Sequence, residues 1–268
     1  MEVLHVFLEV IMDKSKHDLT GYQQDGRTAG TRLENRSNLY RLFKDRPMPD
    51  DQLLVSLGMY MRSSALTKLL YINELYNKII DIPGVIMEFG TWWGQNLVLY
   101  ENLRSIYEPF NYDRRVIGFD TFEGYKNISN KDQKSEIIKE GGYTVSENYE
   151  DYLTDLLDYH EKENVLYFNR KHTIIKGDAS KTLDKFLNEN PYTMVSLAYF
   201  DMALYEPTKA CLKRLEPHLF QGSIVVLDEL NAPDLPGETL ALMDTWGLTK
   251  YKINKSKFMP GRSYLTIG

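Results

Sequence analysis

The sequence predicts an α/β fold: a mostly parallel sheet covered by helices on both faces, ending in an antiparallel strand and preceded by extra N-terminal helices. Three observations predict it. From Val85 onward, short apolar runs alternate with helix-like stretches, which is the texture of a parallel sheet wrapped by helices. Each apolar run ends at or beside an acidic residue or a glycine, as strands do where they open onto a ligand crevice. Before residue 80, apolar residues recur at helical spacing and no strand run is convincing.

In chain order, Leu53, Leu54, Leu57, Met61, Leu66, Leu69, Leu70, Ile72, Leu75 and Ile79 carry the helical spacing of a region spanning residues 1–80. That region is expected to bind substrate or form a dimer. It holds a basic patch, Arg27, Arg32, Arg36, Arg41, Lys44 and Arg46, opposed only by Glu34 and Asp45. Such a patch is first a solvated face, and alternatively a place where planar guanidinium groups meet an anion such as a diphosphate. Residues 81–268 form the sheet domain, with strands expected at Val85–Phe89, Val116–Phe119, Thr173–Ile175, Val195–Phe200 and Ile224–Leu227. Pro83-Gly84 precedes the first strand and a helix over Gln95–Arg104 follows it. Gly90 and Gly94 therefore sit at a strand-to-helix turn, where glycine allows positive φ and the helix offers free N–H groups.

Glu88, Asp120, Asp178, Asp201 and Asp228 stand at the strand ends. Any one of them reads as a helix N-cap; together they form a constellation at the carboxyl edge of the sheet. Residues 124–168 are long for a plain connection and are expected to act as a lid, with Gly141-Gly142 as hinge and a helix over Glu147–Glu161. Gly237–Trp246 reads as a helix, and Tyr251–Ile253 with Ser263–Ile267 as a hairpin around Pro260-Gly261.

With 268 residues and 43% hydrophobic content, the chain can bury the core of one large domain. A net charge of −6 opposes a broad nucleic-acid or anionic-membrane surface, leaving a small molecule as the expected ligand. The one cysteine, Cys211, excludes an internal disulfide and is expected to be buried on a helix that Pro207 opens. The Met1–Ile11 stretch carries acids and lacks a basic leader, and no run approaches the ~20 apolar residues of a membrane span. A cytoplasmic protein is expected, with homo-oligomerisation left open. His5, His17, His160, His172 and His218 show no ligand spacing and receive no role, and Trp92 and Trp93 read as packing.

An acid after the second strand suits ribose hydroxyls, because one carboxylate can accept from both, and Asp120 is placed for this. A dinucleotide-dependent dehydrogenase is disfavoured, since the glycine spacing is not G-x-G-x-x-G. The order of motifs instead resembles a class I S-adenosylmethionine-dependent methyltransferase, which implies a Rossmann-like sheet of seven strands with the last reversed. The resemblance implies that Glu88, Gly90, Thr91 and Gly94 meet the methionine part of the cofactor, Asp120, Thr121 and Phe122 the ribose side, and Asp178 and Ala179 the adenine.

Asp201-Met202-Ala203-Leu204-Tyr205-Glu206-Pro207-Thr208, followed by Gly222–Glu229, resembles more narrowly the macrocin O-methyltransferase family, over about residues 84–230. Members methylate sugar hydroxyls with Mg²⁺. That resemblance implies metal ligation by Asp201, Asp228 and Glu229, with Asp201 also the base, and an acceptor such as a nucleotide sugar or glycosylated metabolite. Hard oxygen ligands suit Mg²⁺. Glu229 departs from the family, which more often has Asp there. The alternatives are a metal-independent N- or carboxyl-methyltransferase and a non-catalytic cofactor-binding subunit.

Overall fold

In the computed structural model, residues 31–132 and 138–268 are described, with 31–33 described as backbone alone. The expectations attached to His5, His17, Arg27, Met1–Ile11 and the Arg32 side chain lie outside the described residues, as does the 133–137 part of the insertion. The chain divides into two compact units, Met1–Leu66 and Thr67–Gly268.

The first unit contains α1 (Thr31–Lys44), α2 (Asp50–Leu53) and a 3₁₀ turn (Leu57–Tyr60). Phe43 meets Tyr60 edge-on at 5.1 Å, and the Arg46 guanidinium lies over the Phe43 ring at 5.4 Å. Arg46 also pairs with Asp50, while Arg41 and Lys44 are exposed. No residue between 34 and 66 is buried, so the described part of this unit has no core of its own.

The second unit is built on seven strands: β1 (Val85–Phe89), β2 (Val116–Asp120), β3 (His172–Lys176), β4 (Val195–Phe200), β5 (Ile224–Leu227), β6 (Lys252–Lys255) and β7 (Ser263–Thr266). Their order in the sheet is β3-β2-β1-β4-β5-β7-β6. The first five pair in parallel, and β7 runs antiparallel to both β5 and β6. The expected hairpin is present, and its second strand is the one that meets β5. This leaves β6, with Lys252 and Lys255 exposed, at the edge, where charge discourages pairing with another chain.

Strand alternation sends side chains to two cores. Ile86, Val116, Leu197, Tyr199 and Val226 pack with α3 (Ser63–Asn77), α4 (Gln95–Tyr107) and α5 (Tyr149–Lys162). Met87, Phe89, Phe119, Phe200 and Leu227 pack on the other face with α6 (Ala179–Glu189), α7 (Tyr205–Leu215) and α8 (Gly237–Thr245). Cys211 is buried in α7, as expected. At the amino ends of the strands, the buried Arg114 donates to Gly84 O (2.7 Å), Ile79 O (2.7 Å), Ile82 O (2.8 Å), Ser196 Oγ (2.7 Å) and Glu108 Oε2 (2.9 Å). One side chain thus fastens the entries of β1 and β4 to the end of α3. No helix among the described residues is long and apolar enough to cross a membrane.

The 124–168 stretch is not lid throughout. α5 buries Leu153 and Leu157 against the sheet and is a regular covering helix. Only the part before it departs from the pattern, and its ends are paired: Tyr125 N donates to Gly142 O and Gly141 N to Tyr125 O, each at 2.9 Å. A Cβ on Gly124 would stand 2.3 Å from Gly142 O, so glycine permits that approach. Gly141-Gly142 is here a pairing point between the two ends of the loop.

Candidate active site

Backbone hydrogen bonds set the strand ends in a row. Gly90 N donates to Phe119 O, Gly177 N to Asp120 O and Asp201 N to Phe89 O, all at 2.8 Å, and Asp228 N to Phe200 O at 2.9 Å. Glu88, Asp120, Asp178, Asp201 and Asp228 therefore share one edge. Four non-glycine residues just beyond β1, β2, β4 and β5 have left-handed backbone: Trp92 (φ 49°), Phe122 (φ 55°), Ala203 (φ 59°) and Asn231 (φ 64°). Such strain, of order 1–3 kcal/mol per residue, gathers where loops are shaped for a ligand.

The β1–α4 turn is shaped by close approach. Gly90 has φ +88°, and a Cβ there would stand 2.2 Å from Asp201 O; Gly94 has φ +75°, and a Cβ would stand 2.3 Å from Leu153 Cδ1. Asp120 faces this turn, its Oδ2 accepting from Trp92 N (2.8 Å) and its Oδ1 from Phe122 N (2.6 Å). Burial raises its pKa and the surrounding N–H groups pull it back. Each oxygen keeps a lone pair for a further donor.

Glu88 is buried with Asn96 Nδ2 2.6 Å from its Oε1, while its Oε2 and the buried Thr91 Oγ1 have no hydrogen-bond partner among the described residues. Buried polar atoms rarely stay unsatisfied. Burial raises the Glu88 carboxyl well above its ordinary range, which an arriving ammonium would offset; its open oxygen and the open Thr91 hydroxyl beside a glycine turn fit the ammonium and carboxylate of a methionine moiety, and Asp120 fits a ribose. Thr121 Oγ1 caps its own turn by donating to Gly124 O (3.0 Å), and Phe122 is buried. Asp178 is an N-cap of α6, its Oδ1 accepting from Ser180 N (3.0 Å) and Ser180 Oγ (2.7 Å), with Ala179 buried beside it.

The other half of the edge is acidic. Asp201, Asp228 and Glu229 each bring a carboxylate oxygen within 4.8 Å of the other two. Asp228 is buried and held on both oxygens, with Tyr199 Oη donating to Oδ1 (2.5 Å) and Arg262 Nη2 contacting Oδ2 (2.7 Å). Lys68 Nζ donates to Tyr199 Oη (3.0 Å) and lies 3.9 Å from Asp228 Oδ1. Arg262 Nη1 reaches Glu229 Oε2 at 3.3 Å, and burial raises the Glu229 carboxyl. Asp201 opens onto the cleft, yet protein surrounds it so closely that lost hydration, then the Asp228 charge, push its carboxyl up to about 7. Two cations facing three carboxylates leave negative charge uncompensated.

Beneath them Glu238, fully buried, accepts at Oε1 from Met202 N (3.1 Å) and Ala203 N (3.0 Å), and at Oε2 from Glu229 N (3.0 Å). Sequence reasoning did not find Lys68, Tyr199, Arg262 or Glu238. Arg262 follows the Pro260-Gly261 turn, and Glu238 is an acid in the first turn of an otherwise apolar helix, a weak signal in each case.

The macrocin-O-methyltransferase (TylF) family matches residues 56–239. Among solved structures, the calicheamicin methyltransferase CalS11 is 37% identical with a TM-score of 0.88, over 90% of this chain and 94% of that one. An apo structure of CalS11, described as a TDP-rhamnose 3'-O-methyltransferase of calicheamicin biosynthesis, is 36% identical with a TM-score of 0.80, over 90% and 96%. The O-methyltransferase NovP shares the fold, at 19% identity and a TM-score of 0.58 over 75% and 79%. No curated protein matches. The family match takes in the glycine turn, Asp120 and all three clustered carboxylates, and on that ground the chain belongs to the macrocin O-methyltransferase family of S-adenosylmethionine-dependent methyltransferases.

Proposed function

We propose that this enzyme transfers the methyl group of S-adenosylmethionine to a hydroxyl of a sugar, with Mg²⁺ held by Asp201, Asp228 and Glu229. The observation that carries the reading is the convergence of these three carboxylates, within 4.8 Å of one another, beside the glycine turn. Mg²⁺ binds oxygens at roughly 2.1 Å, which keeps octahedral ligands within about 4.2 Å of each other. Adjacent ligands in such a shell stand about 3.0 Å apart, so the acids, spaced within 4.8 Å, would draw inward to share one ion. The longer arm of Glu229 reaches into the set, so its departure from Asp is compatible with ligation. The description of CalS11 as acting on TDP-rhamnose, at 36% identity, supports a nucleotide sugar or a glycosylated natural product as acceptor.

Methyl transfer breaks the sulfonium carbon–sulfur bond and forms the carbon–oxygen bond of a methyl ether. The hydroxyl proton goes to Asp201, the one acid of the three that opens onto the cleft. A bound Mg²⁺ supplies a lower pKa for the hydroxyl. Asp228 stays fixed between Tyr199 and Arg262, so the acid pair keeps its place while Asp201 changes protonation. Glu88 and Asp120 orient the cofactor, and the stacked rings of Phe89, Phe119 and Phe200 form a dry floor. Alignment of oxygen, carbon and sulfur provides the remaining acceleration.

A metal-independent reading draws on Arg262 and Lys68, which already supply positive charge at the acids. Incubation with S-adenosylmethionine and TDP-rhamnose or other nucleotide sugars, with and without EDTA, separates the two when S-adenosylhomocysteine and the methyl ether are followed by mass spectrometry. Product that vanishes with EDTA and returns with Mg²⁺ supports the metal reading. Undiminished product in EDTA overturns it in favour of the cations. No methylated sugar from any acceptor in the panel overturns the acceptor class.

A further inference from the structure

We propose that Glu238 is a positioning residue that clamps the two acid-bearing loops in one register, an inference that rests on the metal-binding reading above. One carboxylate spans both loops. Oε1 takes Met202 N and Ala203 N from the turn that follows Asp201, and Oε2 takes Glu229 N from the loop that carries the acid pair. The turn after β4 does not hold itself comfortably: Ala203 is left-handed at φ 59°, and Leu204 N closes tightly on Met202 O at 2.7 Å. A strained turn needs an external restraint to keep one conformation. No cation pairs with Glu238 among the described residues, so its carboxylate is committed to these three N–H groups.

The preceding residue makes the clamp sterically feasible. A Cβ on Gly237 would stand 2.3 Å from Ala203 O and 2.7 Å from Tyr205 N. Glycine therefore lets α8 begin against the Asp201 turn, and the next side chain reaches under both loops. Groups that orient metal ligands in this way typically change metal affinity 10- to 100-fold when removed.

The test is Mn²⁺ titration by calorimetry of wild type, Glu238→Gln and Glu238→Asp, with S-adenosylmethionine affinity measured on the same samples. Glutamine turns an N–H toward a backbone N–H, and aspartate keeps the charge but cannot span both loops. Each is expected to bind Mn²⁺ roughly 10- to 100-fold more weakly, with cofactor affinity unchanged, because Glu88 and Asp120 lie at the ends of β1 and β2, away from the two clamped loops. Wild-type Mn²⁺ affinity in a folded Glu238→Gln protein overturns the proposal. Should that variant fail to fold, the same result in Glu238→Asp decides it. If wild type takes up no Mn²⁺, the metal reading fails by itself, and the clamp is judged by kcat at saturating acceptor: a tenfold or greater loss with unchanged cofactor affinity supports it, and an unchanged kcat overturns it.

Discussion

Raising the pH should destabilise this protein through His172. The imidazole opens β3 with its side chain 2% exposed, Nδ1 2.7 Å from Glu101 Oε1 and Nε2 2.9 Å from Asp158 Oδ1. Glu161 Oε2 lies 3.6 Å from Nδ1, and Glu161 is itself held by Arg104 (2.7 Å) and Lys171 (2.6 Å), while Arg170 pairs with Asp158 (2.5 Å). Burial disfavours the charged ring, but Glu101, Glu161 and Asp158 outweigh it and raise the pKa from 6.5 to about 9. A folded-state value above the unfolded one gives stability that is complete below pH 6.5 and is lost as pH rises through about 9. That gap corresponds to on the order of 3 kcal/mol. In a domain of this size it should lower Tm by roughly 5–10 °C. Melting curves of wild type and His172→Gln at intervals across this range provide the assay. The two curves should be well separated at low pH and approach each other at high pH. A separation independent of pH would refute the reasoning. Glu161 acts with the opposite sign: held at about 2, it contributes above its ordinary 4.5 and is lost as pH falls through about 2.

Three other outcomes are expected. Asp120→Ala removes a charge-assisted partner of the cofactor and leaves Trp92 N and Phe122 N without acceptors, so S-adenosylmethionine affinity should fall about tenfold to a hundredfold by calorimetry; unchanged affinity would refute the ribose assignment. Gly90→Ala forces a side chain at φ +88° against Asp201 O, and should cost at least about 1–2 kcal/mol from the backbone alone; a wild-type melting temperature would contradict the turn geometry. Amides of 124–132 and 138–148 should exchange fast in the free enzyme and slow with S-adenosylhomocysteine and acceptor, whereas the amides of α5 stay protected throughout. Fast exchange across Leu153 and Leu157 would contradict the packing of that helix.

What the sequence made legible follows from how local each signal is. The strands β1, β2, β4 and β5 are apolar runs buried on both faces and stopped by glycine or acid, so periodicity and punctuation locate them within a residue. The acids at their ends need no side-chain detail to be grouped, because parallel strands bring their carboxyl ends to one edge. Lys68, Tyr199 and Arg262 were not legible. They come from α3, from inside β4 and from the loop before β7, and only the order of strands in the sheet brings them to Asp228. Tyr199 hides inside a strand that reads as uniform core. His172 shows no ligand spacing because its partners are spread over α4 and α5. Within 124–168, length alone cannot separate an irregular loop from the covering helix that follows it.

The two ends of the sheet differ in how their charges are balanced, and that difference separates structure from function. At the amino ends, Arg114 is satisfied by carbonyls, Ser196 and Glu108, and the His172 cluster sets Arg104 and Lys171 beside its acids. Such sites are closed: each buried charge has its counter-ion, and removing one partner strands the other. At the carboxyl ends, no cation pairs with the buried Glu88 among the described residues, and there Asp201, Asp228 and Glu229 share Lys68 and Arg262 alone. A protein selected for stability alone would neutralise or disperse these groups, since like charges held together in a cleft repel one another. Their persistence is accounted for by cations that arrive from solution. The sulfonium and ammonium of S-adenosylmethionine are two such charges, and under the proposed function a divalent ion is the third. Cofactor binding and acid repulsion are then linked: each cation that binds relieves repulsion the apo site carries and leaves less negative charge for the next, so through charge alone occupancy of one position should weaken occupancy of the other.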